Sequence, residues 1–127
     1  MSVDIEILGS SALADDELRA LASAALARAG VGEGHVAFSF VGAEEIAALN
    51  AEHRGKEGPT DVLSFPVDEA GDSFGPRELG DVVICAEHAE DLREAVVHGA
   101  LHLVGYDHEV DDGEMLRVQA EVLGEHA

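Results

Sequence analysis

Residues 3–8 alternate apolar and acidic side chains, Val3, Asp4, Ile5, Glu6 and Ile7. That period of two predicts a strand with one buried face. Residues 14–29 change to a helical period, with Leu18, Leu21, Ala25 and Ala29 on one side. Ser10 and Ser11 are candidate caps before this helix, and Gly30, Gly32 and Gly34 end it. A second strand is expected over 35–41 and a short helix carrying Ile46 and Leu49 over 43–53. Residues 54–60 are polar and hold Gly55, Gly58 and Pro59, which predicts a loop. A third strand over 61–67 is stopped by Pro66. Gly71, Gly75 and Pro76 mark 68–78 as a loop, and 79–85 reads as a fourth strand. One helix is expected over 86–104, ended by Gly105, and a last one over 113–123.

The resulting order is β-α-β-α-β-β-α-α. Strands three and four are close enough in sequence to form a hairpin, while helical crossovers favour parallel pairing elsewhere. The pattern predicts an α+β fold: one compact domain over 1–127, with a mixed sheet of about four strands covered by helices on one or both faces. A length of 127 residues fits one domain. No repeat, linker or low-complexity tract interrupts it.

Composition narrows the chemistry. Hydrophobic residues are 46% of the chain but aromatics only 4%, with no Trp, so the core must be built from Ala, Val, Leu and Ile. The formal net charge is −20, from 27 acidic and 7 basic residues. Such a chain repels polyanions at long range, and a general nucleic-acid binder would instead be basic. The positions of the few cations therefore carry information. The single cysteine, Cys85, cannot form an internal disulfide and suits a reducing compartment. No signal peptide is recognisable at the start, and no run approaches the roughly 20 apolar residues of a membrane span. The expected location is the cytoplasm.

The candidate chemistry lies in His98-Gly-Ala-Leu-His102-Leu-Val-Gly105-Tyr-Asp-His108. An i, i+4 pair on a helix stacks on one face with Cβ atoms about 5–6 Å apart, within reach of one ion. Gly105 can turn the chain back, so that His108 arrives as a third ligand. Three protein ligands leave a fourth position open for water, as in catalytic rather than structural zinc sites. The metal site is thus expected on a helix and the loop that follows it. Val96, Val97, Ala100, Leu101, Leu103 and Val104 make this helix apolar almost all round, and a buried histidine needs a partner. Gly99 costs a helix about 1 kcal/mol relative to Ala, which close backbone approach would offset. His35, His53, His88 and His126 lack this context and read as structural or solvated. The zinc peptidases that use a helical pair place Glu directly after the first His; here Gly99 stands there, which argues against an ordinary peptidase.

The same run resembles the signature of the YbeY family of bacterial endoribonucleases. A second stretch agrees: Asn50, Arg54, Gly55, Lys56 and then Pro59-Thr60-Asp61-Val62-Leu63-Ser64-Phe65-Pro66. So do Gly80-Asp81-Val82-Val83-Ile84, and Glu114, Met115 and Gln119 near the end. The likeness covers nearly the whole chain. It implies one α+β domain, one zinc ion held by His98, His102 and His108, and cleavage of single-stranded RNA in 16S rRNA 3′-end processing and ribosome quality control. It also implies that Arg54 is the arginine needed for activity. Departures are a short segment between the fourth strand and His98, His53 for a commoner Tyr, and Glu57 for a commoner Asp.

Arg54 and Lys56 are two of the seven basic residues, and they share one loop. Arg can brace two phosphate oxygens where a phosphodiester transition state gathers charge, and Lys56 can add a phosphate contact. The residues alone leave a solvated loop pair equally open; the resemblance selects the substrate-binding role. Asp107 reads as a turn residue and Cys85 as core, while Asp61 and Asp81 read equally as strand-end caps or as groups that orient a ligand histidine. Three imidazoles suit zinc but accommodate other divalent transition metals. The nucleophile, water or the RNA's 2′-hydroxyl, is left open. Two other functions remain: hydrolysis of peptide or amide bonds at the same ion, and a non-enzymatic ribosome-associated factor with structural metal. The expected partner is rRNA presented on ribosomal particles, with ribosomal proteins supplying affinity; neither DNA nor membrane binding is expected.

Overall fold

The computed structural model describes residues 3–9, 13–55, 58, 60–66, 78–106 and 113–125, with Arg54 placed by its backbone. Four strands, β1 (Val3–Leu8), β2 (Gly34–Phe40), β3 (Val62–Pro66) and β4 (Glu78–Ile84), form one sheet in the order β1-β2-β4-β3. β1 and β2 pair in parallel, as do β2 and β4, whereas β3 and β4 are antiparallel. The mixed sheet and the expected hairpin are both present.

Helices cover both faces. On one side lie α1 (Asp15–Arg28), α3 (Leu92–Leu103) and α4 (Glu114–Glu125). Their core joins Leu18, Leu21, Leu26, Leu101 and Met115 to Val36, Phe38 and Val82 of the sheet. On the other side α2 (Ala43–Arg54) buries Ile46 against Leu63, Val83 and Cys85. The alternation along β4 explains the split: Val82 and Ile84 face the three-helix layer, and Val83 faces α2. The thiol of Cys85 is core, as expected.

The expected helix over 86–104 is broken. Ala86–His88 is a short 3-10 turn and Ala89 is extended. α3 then starts afresh behind Asp91, whose carboxylate accepts from the backbone N–H of Arg93 at 3.0 Å and of Glu94 at 3.3 Å. An aspartate at this point satisfies N–H groups that would otherwise lack partners, so it starts a helix rather than continuing one. Ala14, not a serine, holds the N-cap position of α1, without a side-chain cap; Ser10 and Ser11 lie outside the described residues. α4 runs two residues beyond its expected end, through Gly124.

Two side-chain clusters tie the elements together. Arg28 at the end of α1 donates to Glu121 at 2.6 Å and Glu125 at 2.5 Å on α4. Both hydrogen bonds and both acidic charges raise the Arg28 pKa, with the Glu121 bond the leading cause. His35 on β2 bridges the two strands beside it, β1 and β4, with Nδ1 2.7 Å from Glu78 Oε2 and Nε2 3.0 Å from Glu6 Oε1. Among the described residues, no helix is long and apolar enough to cross a membrane.

Candidate metal centre and active site

α3 is buried on most of its circumference, including Ala95, Val96, Val97, Gly99, Ala100, Leu101 and Leu103. Its two histidines occupy the remaining side. The His98 and His102 rings lie with centroids 5.5 Å apart and planes inclined by 69°. His98 Nδ1 is 2.9 Å from Gln119 Oε1 on α4. The amide oxygen can only accept, so Nδ1 carries the proton and a neutral ring keeps its lone pair on Nε2. That arrangement leaves Nε2 available to ligate a metal, with the ring oriented by a group beyond the ligand itself.

Gly99, between the histidines, explains how the helix reaches the sheet. A Cβ there would stand 2.5 Å from Val82 Cγ1 and 3.0 Å from Val62 Cγ2. The Gly99 carbonyl accepts from Ser64 Oγ at 2.8 Å, which fixes the helix on β3. The close backbone approach expected from the sequence is therefore present. At the far end Gly105, with φ of +109°, turns the chain after α3, and its N–H reaches the His102 carbonyl at 3.2 Å.

Beside His98 opens a cleft of about 340 Å³, lined by Asp61, His88, Glu90, Asp91, Glu94 and Ala95 as well. Its carboxylates attract cations and oppose an approaching phosphate. Asp61, read from the sequence equally as a strand-end cap or a ligand-orienting group, is part of this wall, and its carbonyl accepts from the Cys85 N–H at 2.9 Å. Asp81 is exposed on β4, away from this wall. His53 packs against Phe65, with ring centroids 4.4 Å apart.

The structure thus brings together His98, His102 and Gln119. Arg54 is the last residue of α2, on the opposite face of the sheet; Gly55 follows it in the left-handed conformation with φ of +67°. Lys56, Asp107 and His108 lie outside the described residues. Among the described residues, no group of three or more His, Cys, Asp or Glu is placed to hold a metal ion. Two imidazoles one helical turn apart, one of them oriented by an amide, fit a borderline-soft divalent ion such as zinc and leave a third ligand to come from elsewhere. Gln119 had been matched only as a family likeness. The signal that identifies it is a polar residue in a buried row, four after Met115 and three before Val122.

These features define an α+β domain with a helix-borne histidine pair, of which His98 lines an open cleft. A sequence model described as "Endoribonuclease YbeY" matches residues 5–126. The chain belongs to the YbeY family. The Endoribonuclease YbeY of Salinispora tropica is 34% identical over 148 aligned positions, spanning 97% of this chain and 94% of that protein. That of Macrococcus caseolyticus is 40% identical over 109, spanning 72% and 71%. The solution structure of TM1509 from Thermotoga maritima matches with a TM-score of 0.55 and 31% identity, over 96% of this chain and 88% of that one.

Proposed function

We propose that this chain is a zinc-dependent, single-strand-specific endoribonuclease that acts in rRNA processing, at the 16S rRNA 3′ end, and in ribosome quality control. The observation that carries the reading is His98 held in its ligand tautomer by Gln119, one turn from His102, in a chain of the YbeY family. His98, His102 and His108 would hold the ion. When bound, zinc supplies Lewis-acid stabilisation of charge gathering on the phosphate. Gln119 keeps the proton on His98 Nδ1. Arg54 braces non-bridging phosphate oxygens and Lys56 adds a phosphate contact. The net charge of −20 and the acidic cleft wall favour RNA presented on a ribosomal particle, where ribosomal proteins supply affinity, over capture of free RNA. The place of action is the cytoplasm.

The test combines elemental analysis and RNA cleavage for wild type, His98→Ala, His102→Ala and Arg54→Ala, with folding followed by circular dichroism. Wild type is expected to carry about one zinc and to cleave single-stranded RNA. Both histidine variants should lose metal and activity while folded, and Arg54→Ala should keep the metal with a kcat sharply reduced but still measurable. A folded His98→Ala protein that still cleaves RNA would sink the proposal.

A further inference from the structure

We propose that Asn50 is a positioning residue for this reaction: its side-chain amide pins Gly58 to α2. The start of β3, with Asp61, is thereby set against the His98 cleft. The inference rests on the reading of Arg54 as a catalytic residue, although the clamp itself does not.

Asn50 and Gln119 are the two buried polar residues among those described, at 4% and 7% exposure. Gln119 orients His98. Asn50 lies on α2, one turn before Arg54, and its Nδ2 donates to the Gly58 carbonyl at 2.9 Å. That bond fixes the amide's orientation, because the reverse would place two carbonyl oxygens face to face. The other amide atom, Oδ1, is buried without any hydrogen-bond partner. An acceptor buried unpaired disfavours folding, and Asn is a poor helix former. A leucine here would join the adjacent cluster of Ile46, Leu49 and Leu63 without either penalty. Residues that break local rules in this way concentrate at functional sites.

The path from Asn50 to the cleft is short. Gly55 turns the chain out of α2 directly after Arg54, and its N–H donates to the Ala51 carbonyl at 3.1 Å. Asn50 holds Gly58. Three residues on, the Asp61 carbonyl accepts from Cys85, and the Asp61 side chain lines the cleft with His98. α2 and α3 lie on opposite faces of the sheet, and Gly58 stands on the chain path from the Arg54 end of α2 to Asp61, which lines the His98 cleft.

The experiment uses the full zinc-loaded protein with Asn50→Leu and Asn50→Asp, each alone and with Arg54→Ala. Asp keeps the shape but lacks the donor; Leu also relieves the orphaned oxygen. We expect kcat on a single-stranded RNA to fall by roughly 10–100-fold in both, the scale of a small misplacement of catalytic groups. KM should barely move, and the Asn50→Leu protein should melt no lower than wild type. Added to Arg54→Ala, neither change should slow the enzyme further, because both act through the same group. Backbone order parameters at Gly55, Gly58 and Thr60 should drop from about 0.85 toward 0.6 or less. Unchanged kcat in either folded variant, or losses that multiply with that of Arg54→Ala, would overturn the proposal. Should wild type cleave no RNA, the functional reading fails separately, and the order parameters alone judge the clamp: unchanged values at Gly58 and Thr60 overturn it.

Discussion

Gly99→Ala adds one methyl group at the contact between α3 and the sheet, beside both metal-ligand candidates. The new Cβ would stand 2.5 Å from Val82 Cγ1 and 3.0 Å from Val62 Cγ2. Carbon atoms pack at about 3.5–4.0 Å, so the overlap is roughly 1 Å and 0.5 Å respectively. Val82 cannot retreat: it is fully buried on β4, which is paired to β2 and β3 on its two sides. A valine in a packed strand also has few alternative rotamers. The helix must therefore move out by up to about 1 Å or the strand must bend, at the roughly 1–3 kcal/mol typical of overpacking. Replacing Gly by Ala inside a helix returns about 1 kcal/mol. The steric term wins, leaving a net loss of about 1 kcal/mol and a Tm lower by roughly 3–5 °C for a domain of this size. The same displacement would shift His98 and His102, and metal ligands tolerate errors of only about 0.2 Å. Zinc affinity should fall by at least about tenfold, as for disturbed ligand orientation. Denaturant titration and zinc competition against a chelator measure the two effects. Val82→Ala in the Gly99→Ala background should recover zinc affinity in part, by making room for the methyl. A Gly99→Ala protein at least as stable as wild type, with unchanged zinc affinity, would refute the reasoning.

Gln119→Leu removes the acceptor from His98 Nδ1 at nearly constant volume. Zinc affinity should weaken by about 10–100-fold with the fold retained, read by chelator competition. His35 has its pKa raised above the ordinary value, mainly by its hydrogen bond to Glu78 and further by Glu6, against the lowering effect of burial. Its stabilising contribution is complete below about pH 6.5 and is lost as pH rises through the higher folded-state pKa. Thermal melts from pH 6 to 9 should show that decline, and His35→Asn should flatten it; equal slopes in the two proteins would contradict the assignment. Cleavage of free RNA should rise from low to moderate salt, as screening with a Debye length of about 8–10 Å near physiological ionic strength reduces repulsion by the −20 charge. A steep fall from low salt would instead mark counterion-release binding and a basic surface.

Periodicity and apolar runs bounded by Gly and Pro located the four strands and four helices described, β1 and α1 by one buried face or stripe and β4 and α3 by near-continuous apolar texture. Val3–Leu8 reads as alternating since its outer residues face solvent, and Ile5 alone is fully buried there. The break within 86–104 was hidden for a physical reason. Ala86 and Ala89 sustain an apolar helical texture, while the decisive feature is one hydrogen-bonding side chain, Asp91, that captures two backbone N–H groups. Sheet order was also beyond the pattern. β2 and β4 are parallel neighbours although α2 and β3 separate them in the chain, and no local signal encodes such a long-range pairing.

The site was legible where chemistry and spacing coincide and obscure where burial decides. The i, i+4 histidines and the unfavourable Gly99 pointed to one helix face pressed against backbone, and the structure places them so. Gln119 and Asn50 lack such a signature, since a single amide in an amphipathic helix reads equally as a solvated residue. What distinguishes them is that each lies inside, where a polar group without a partner is destabilising. Gln119 meets His98, and its selection is explained by one bond. Asn50 satisfies half of its amide and leaves the other half orphaned. The asymmetry is informative: a side chain kept only for packing would be replaced by Leu or Met, whereas the amide that supplies the Gly58 bond brings with it an acceptor that burial leaves unpaired. The substitutions at Asn50 therefore separate stability from function more sharply than substitutions at the histidines, where loss of metal and loss of structure can coincide.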